Sequence, residues 1–279
     1  MKKTIAILLA AMMLFAFAAC RENDGSADNE TVKEYAKKGE VVEDGKLCTV
    51  RIAEIFRDPY FGNTLRMYLE NKTGKTCRFA VLDASVNGVE WSPYFVRELA
   101  PKSKTVADMQ FVDMQLDELI PAFTDIELVW ELEEDETSET LAGGVYHYYP
   151  QGEENKTVFE REPQPTDQEL FDNNVFNVTL LGSERAENLG YALNMYFENK
   201  SDVKITFSVA DVTVNGQPCD PFWADSVRAH TREFTQIFFL ESDLNALGIT
   251  DVETIEMTLS VYESDSFADI FSESVTIHP

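Results

Sequence analysis

One stretch of this chain occurs twice. Residues 65–96 read LRMYLENKTGKTCRFAVLDASVNGVEWSPYFV, and residues 193–224 read LNMYFENKSDVKITFSVADVTVNGQPCDPFWA. The offset is 128 residues without a gap: Tyr68 matches Tyr196, Asn71 matches Asn199, Phe79 matches Phe207, and Asn87-Gly88 matches Asn215-Gly216. A duplication of this length means one folding unit used in tandem, each copy closing its own core. Each unit has roughly 110 residues, the size of a sandwich domain.

The pattern inside each copy is that of strands. Cys48, Val50 and Ile52 alternate with polar neighbours, as do Phe176, Val178 and Leu180. Period two marks a half-buried strand. Leu65, Met67, Leu69 and Leu193, Met195, Phe197 repeat the alternation, as do Cys77, Phe79, Val81 and Ile205, Phe207, Val209. The apolar phase then slips to Ala84 and Val86, and to Val212 and Val214, which predicts a bulge. Asn87-Gly88 and Asn215-Gly216 predict two-residue hairpins, and Asp44-Gly45 predicts another. Further strands are expected over 105–111 and 233–239, and over Ile126–Leu132 and, after a one-residue insertion, Ile255–Val261. A closing strand is expected near 145–149 and 275–277. DMQLDEL and ESDLNAL predict one or two helical turns capped by Asp113 and Ser242. The polar loops RDPYFGN and SERAENLG join the second and third strands. The expected fold is all-β: two tandem immunoglobulin-like antiparallel β-sandwich domains joined by a linker.

The N-terminus supplies an address. Lys2 and Lys3 precede an apolar run that closes at Ala18-Ala19-Cys20. The run is short for a membrane span and suits a secretory signal. Its end resembles the bacterial lipobox, which implies cleavage before Cys20, lipidation of its sulfur, and anchoring by buried methylenes at about 0.8 kcal/mol each. The expected organisation is a signal peptide over 1–19, a solvated tether over 20–39 (with room for a short helix near Val32), repeat 1 over 40–149, a proline-rich charged linker over 150–167, and repeat 2 over 168–279.

The net charge is −27, and loss of residues 1–19 leaves 21 basic against 50 acidic residues, or −29. Such a chain repels phosphate, so nucleic acid is not an expected partner. Cys48, Cys77 and Cys219 correspond to Phe176, Ile205 and Trp91 in the other copy, which reads as buried cysteines acting as small hydrophobes. A Cys48–Cys77 disulfide is the alternative for an exported chain. No CxxC or CxxH spacing calls for a metal.

The sequence contains no nucleophile elbow, no HExxH, no Walker loop and no dinucleotide fingerprint. No cofactor is implied and no catalytic residue stands out, so the expectation is a non-enzyme. His147, His230 and His278 share no repeat position and read as surface residues. The acidic runs 131–139 and 263–273 have no EF-hand order and read as solvated loops rather than calcium sites. The aromatic segments Trp91, Tyr94, Phe95 and Phe222, Trp223 are the ligand-binding candidates, since aromatics in loops stack on sugars or anchor protein partners. Against this, they recur in both copies, which favours a role in packing.

The run of ENK, VNG, a Pro-aromatic-aromatic segment, SDL and a closing VYESDSF resembles repeats of uncharacterised bacterial surface lipoproteins with immunoglobulin-like sandwiches. The resemblance covers residues 40–279 and departs in the first copy at the closing motif, WELEEDE. It implies the fold and a cell-surface location, and carries no activity. The expected function is that of a membrane-anchored extracytoplasmic interaction or scaffold module, held to the membrane through Cys20 and facing a surface protein or glycan. A solute-binding lipoprotein working with a transporter or surface complex is the alternative. A hydrolase with a carboxylate site is a third reading that no residue singles out.

Overall fold

The computed structural model describes residues 29–279 apart from 92, 94, 112–115, 117–118 and 187–188. The described residues form two compact units, one ending at Glu160 and the other running Arg161–Pro279.

In the first unit a short helix α1 (Asn29–Tyr35) precedes strands β1 (Glu40–Asp44), β2 (Cys48–Asp58), β3 (Gly62–Asn71), β4 (Cys77–Val86), β5 (Val89–Glu90), β6 (Phe95–Leu99), β7 (Lys104–Gln110), β8 (Ile126–Glu134) and β9 (Thr140–Tyr148). One antiparallel sheet has the order β1-β2-β3-β7; the other runs β5-β4-β8-β9, with β6 also on β4. The second unit repeats this with β10 (Gln168–Asp172), β11 (Phe176–Ala186), β12 (Gly190–Asn199), β13 (Ile205–Val214), β14 (Gln217–Pro218), β15 (Ala224–Val227), β16 (Arg232–Leu240), helix α2 (Glu241–Ala246), β17 (Ile255–Glu263) and β18 (Asp269–Ile277). Its sheets are β10-β11-β12-β16 and β14-β13-β17-β18, with β15 on β13. The chain is therefore nearly all β, in a sandwich-like arrangement of antiparallel sheets.

Register confirms the duplication. Cys48 opposes Asn71 on β2–β3, and Phe176 opposes Asn199 on β11–β12. Val86 faces Ile126, and Val214 faces Ile255, the shift that the one-residue insertion requires. The expected bulge lies between Val81 and Asp83 in one copy and between Ala210 and Thr213 in the other. It turns the later apolar residues of the strand back to the core. In the second unit the core joins both sheets through Phe207, whose ring lies 5.6 Å from Phe176 and 4.6 Å from Phe197. In the first, Phe79 stacks on Trp130 at 5.7 Å. Burying each such ring contributes about 1.5–3 kcal/mol.

The recurring asparagines explain themselves here. Asn71 Nδ2 donates to the carbonyls of Lys75, Leu99 and Ala100, while its Oδ1 accepts from the Thr73 amide and hydroxyl. Asn199 makes the same five bonds, to Val203, Val227 and Arg228 and from Ser201. Asn87 and Gly88 (φ 52° and 80°), like Asn215 and Gly216 (50° and 75°), form tight hairpin turns. Their side chains also tie down the segment before β8 and β17: Asn87 Oδ1 accepts from Thr124 and Asp125, and Asn215 Oδ1 from Glu253 and Thr254.

Several expectations need correction. Asp44-Gly45 is not a two-residue turn: Asp44 pairs with Thr49 across a longer connection. Residues 29–35 are not a solvated tether, because Val32 and Tyr35 bury against Ala53 and Tyr68 on the outer face of β2 and β3. Ser242 does not cap α2, which begins at Glu241 with Leu240 before it; Asp113 lies outside the described residues. The closing strands are longer than expected, running Thr140–Tyr148 and Asp269–Ile277 and pairing with β8 and β17. The Cys48–Cys77 disulfide does not form: Cys48, Cys77 and Cys219 are free and buried. The linker is held to the first unit, with Thr157 bonded to Thr124 and the Phe159 amide donating to the Asn87 carbonyl, and within the linker Arg161 pairs with Asp167 at 2.6 Å.

Candidate functional site

Burial sorts the five aromatic candidates. Trp91 and Phe95 belong to the core and are removed as surface contacts. Trp91 packs edge-on to Phe111 and Phe123 at 5.6 and 5.3 Å, and its Nε1 has no hydrogen-bond partner among the described residues. Phe95 packs against Phe79, with the Arg97 guanidinium 4.8 Å above its ring. Trp223, the counterpart of Phe95, is half-buried and stacks on Phe197 at 5.3 Å. Phe222 is 93% exposed at φ 48°, a conformation unfavourable for a bulky side chain, with its amide bonded to Asp220 Oδ1. Tyr94 and Cys20 lie outside the described residues.

A second aromatic surface sits where the sequence reads as a polar loop. The β2–β3 hairpin tip carries Tyr60, 88% exposed, and Phe61, 45% exposed. Asp58 Oδ1 accepts from both their amides, at 2.7 and 3.0 Å, so one carboxylate fixes the turn that presents the two rings. Beside the tip, at one end of the sandwich, lies an open cleft of about 410 Å³. Its wall is formed by Ile55, Phe56, Arg57 and Asn63 of the hairpin together with Pro121–Phe123, Pro150 and Gln151. Phe123 is fixed from behind by Trp91 and Phe111. The Phe56 ring carries the Arg66 guanidinium at 4.6 Å, and Arg66 is bonded to Asp108 and Glu54. The wall is thus built on two sheet strands and a network of charge-assisted bonds.

Arg185, the counterpart of Arg57, donates to the Thr250 carbonyl and to both oxygens of Glu241, at 3.1 and 2.9 Å. Leu189 stands where Phe61 does, and Val252 where Phe123 does.

The other cluster in the first unit is electrostatic. His147 Nδ1 lies 2.8 Å from Asp125 Oδ1, and Nε2 lies 3.1 Å from Glu127 Oε2. Each ring nitrogen therefore faces a carboxylate oxygen. Lys156 Nζ stands 3.6 Å from Asp125 Oδ2, and Tyr149 stacks on the imidazole at 5.9 Å. His147 is therefore not the plain surface residue expected, whereas His230 is exposed and pairs with Asp202. Within the acidic run 131–139, Glu134 is buried and paired with Lys75 at 2.5 Å. Among the described residues no three His, Cys, Asp or Glu side chains are grouped to hold a metal. Burial pushes the Cys48 thiol up to about 11 and raises that of Cys219, which makes both poor nucleophiles. No helix among the described residues is long and apolar enough to cross a membrane.

No family model matches the chain, and no curated protein matches it. Among solved structures, a protein of unknown function from Porphyromonas gingivalis W83 aligns over 84% of this chain and 100% of its own, at 12% identity and a TM-score of 0.23. The Amycolatopsis orientalis exo-chitosanase CsxA aligns over 83% of this chain and 26% of its own, at 11% identity and a TM-score of 0.26. Likeness at this level carries no functional argument.

Proposed function

We propose that this chain is a membrane-anchored extracytoplasmic lipoprotein, and that its two immunoglobulin-like domains form a non-enzymatic recognition module. The Lys2-Lys3 start, the apolar run and Ala18-Ala19-Cys20 support the anchor. One observation carries the recognition role. The first unit presents exposed Tyr60 and Phe61 on a turn pinned by Asp58, where the second copy has Asn188 and Leu189 in sequence. Features common to both copies serve the fold, so an aromatic pair that only one copy carries is the better candidate for binding.

Two measurements test this reading. Fractionation of cells expressing the chain should place it in membranes, and Cys20→Ser should release it to the soluble fraction. Retention of Cys20→Ser in membranes overturns the anchor. Affinity capture from the producing cells' surface fraction, with the full chain and with Tyr60→Ala/Phe61→Ala as baits, should recover a component that only the unaltered chain holds. A component held equally by both baits overturns the assignment of the tip.

A further inference from the structure

We infer that the β2–β3 tip of the first unit seats its two aromatic rings in the interface of the bilayer that carries the anchor. This inference rests on the lipoprotein reading above and names the partner of the tip, a lipid surface of low net charge. Tyr60 is 88% exposed and Phe61 45% exposed. The Asp58 carboxylate accepts from both their amides, at 2.7 and 3.0 Å, so the turn that carries them is pinned. Neither ring lines the neighbouring cleft, so the pair stands at the end of a hairpin with no concavity of its own. A small ligand needs a concave site, whereas a fixed convex pair suits a soft surface that closes round it. Tyrosine favours the zone between water and acyl chains, where its ring is covered and its hydroxyl stays wet.

Chain length brings that surface within reach. Eight residues, 21–28, separate Cys20 from Asn29 at the start of α1, and a stretch of that length spans at most about 30 Å. The helix itself adds about 10 Å. It ends beside the hairpin: Arg66 Nη1 donates to the Tyr35 hydroxyl at 3.3 Å, and the same guanidinium lies 4.6 Å over the ring of Phe56, close to Asp58 in the strand. An anchor at Cys20 therefore holds the tip within a few tens of ångströms of the bilayer. There a contact too weak to form between free partners becomes intramolecular. Charge permits the approach at this place. The chain as a whole carries −27, yet residues 29–39 and 54–66 together hold five basic and four acidic side chains. That balance tolerates a zwitterionic surface and supplies no basic cluster to draw the tip to an anionic one.

The test uses the full chain, extracted from membranes with its anchor and reconstituted in phosphatidylcholine vesicles whose acyl chains are brominated near the headgroup. Bromine there quenches an indole that enters the interface. Tyr60→Trp, read as the difference from the unaltered chain, should lose at least about half of its added emission relative to unbrominated vesicles. Leu47→Trp should lose none: Leu47 is 40% exposed at the other end of β2, and that strand of 11 residues is about 35 Å long. Adding Phe61→Ala to Tyr60→Trp should reduce the quenching, and replacing about a third of the lipid by phosphatidylglycerol should not deepen it. The variants should keep the melting temperature of the unaltered chain, because these side chains are exposed. An unquenched Tyr60→Trp, equal quenching of Leu47→Trp, or quenching that requires phosphatidylglycerol each overturns the inference. An unquenched tip, with a surface protein that Tyr60→Ala/Phe61→Ala releases, sinks the lipid partner and keeps the recognition role. An unquenched tip with no captured component sinks both. A chain that does not hold to the vesicles overturns the anchor and the inference with it.

Discussion

Where the first unit sets Arg66 against Asp108 across β3 and β7, the second sets Asn194 against Gln236 at the same register. Arg66 Nε and Nη2 bond to the two Asp108 oxygens at 2.8 and 2.9 Å, and Nη1 reaches Glu54 at 2.9 Å. Gln236 simply donates to Asn194 Oδ1 at 2.7 Å. The charged version holds a helix: Tyr35 of α1 bonds to Glu54 and Arg66, and its ring packs among Ala53 and Tyr68. The amide version has no such helix, and Arg161 lies 5.7 Å above the Tyr196 ring instead. The framework bonds at Asn71 and Asn199 did not change between the copies, while the outer face and the hairpin end did. Duplication kept the parts whose loss unfolds the domain and left its surfaces free to diverge.

That contrast can be broken most forcefully in the core. Phe95→Ala should cost about 3–5 kcal/mol, since the ring is fully buried, and Trp223→Ala about 2 kcal/mol, since the matching ring is half-exposed. Urea unfolding measures both, and equal losses would show that burial does not separate the copies. Asn71→Ala and Asn199→Ala should each cost about 3 kcal/mol, because each leaves buried carbonyls without donors. Here the copies should agree, and a large difference would end the claim of equivalent roles. The buried thiols report which copy opens: Cys48 and Cys77 should be alkylated when the first unit unfolds and Cys219 when the second does.

Tyr35→Phe should cost about 1 kcal/mol at pH 7, confined to the first unit. Burial works to raise the Glu54 pKa, but hydrogen bonds from Lys38 and Tyr35 and the nearby Lys38 and Arg66 charges outweigh it and hold it below its ordinary value. A carboxylate depressed in the fold stabilises it above the ordinary range and loses that contribution as pH falls through its folded value. The Tyr35→Phe effect should therefore shrink below about pH 4, as followed by denaturation at stepped pH. An effect that grows with acid would contradict the pairing. Smallest of all, Tyr60→Ala/Phe61→Ala should change stability by under about 0.5 kcal/mol, since neither ring buries into the core. A larger loss would make the tip structural and remove it as a binding surface.

The sequence alone determined the duplication, the strand phases, the bulge, the Asn-Gly turns and the one-residue insertion. These are local or periodic signals, and burial of one sheet face forces them to recur every second residue. Ring exposure followed no such rule. Trp91 and Cys219 occupy one repeat position and both are buried, while Tyr60 and Phe61 sit in a stretch whose Arg, Asp, Asn and Gly read as a polar loop. Whether a loop aromatic turns inward depends on which strands lie behind it, and hydropathy does not carry that information. The His147 pairings with Asp125 and Glu127 were hidden for the same reason: β8 and β9 bring these residues together across a turn. The docking of α1, the bridging Arg185 and the open cleft likewise arise from contacts between segments far apart in the chain. Only the tertiary structure decides those, because the energy lies in which surfaces meet and not in any single segment's preference.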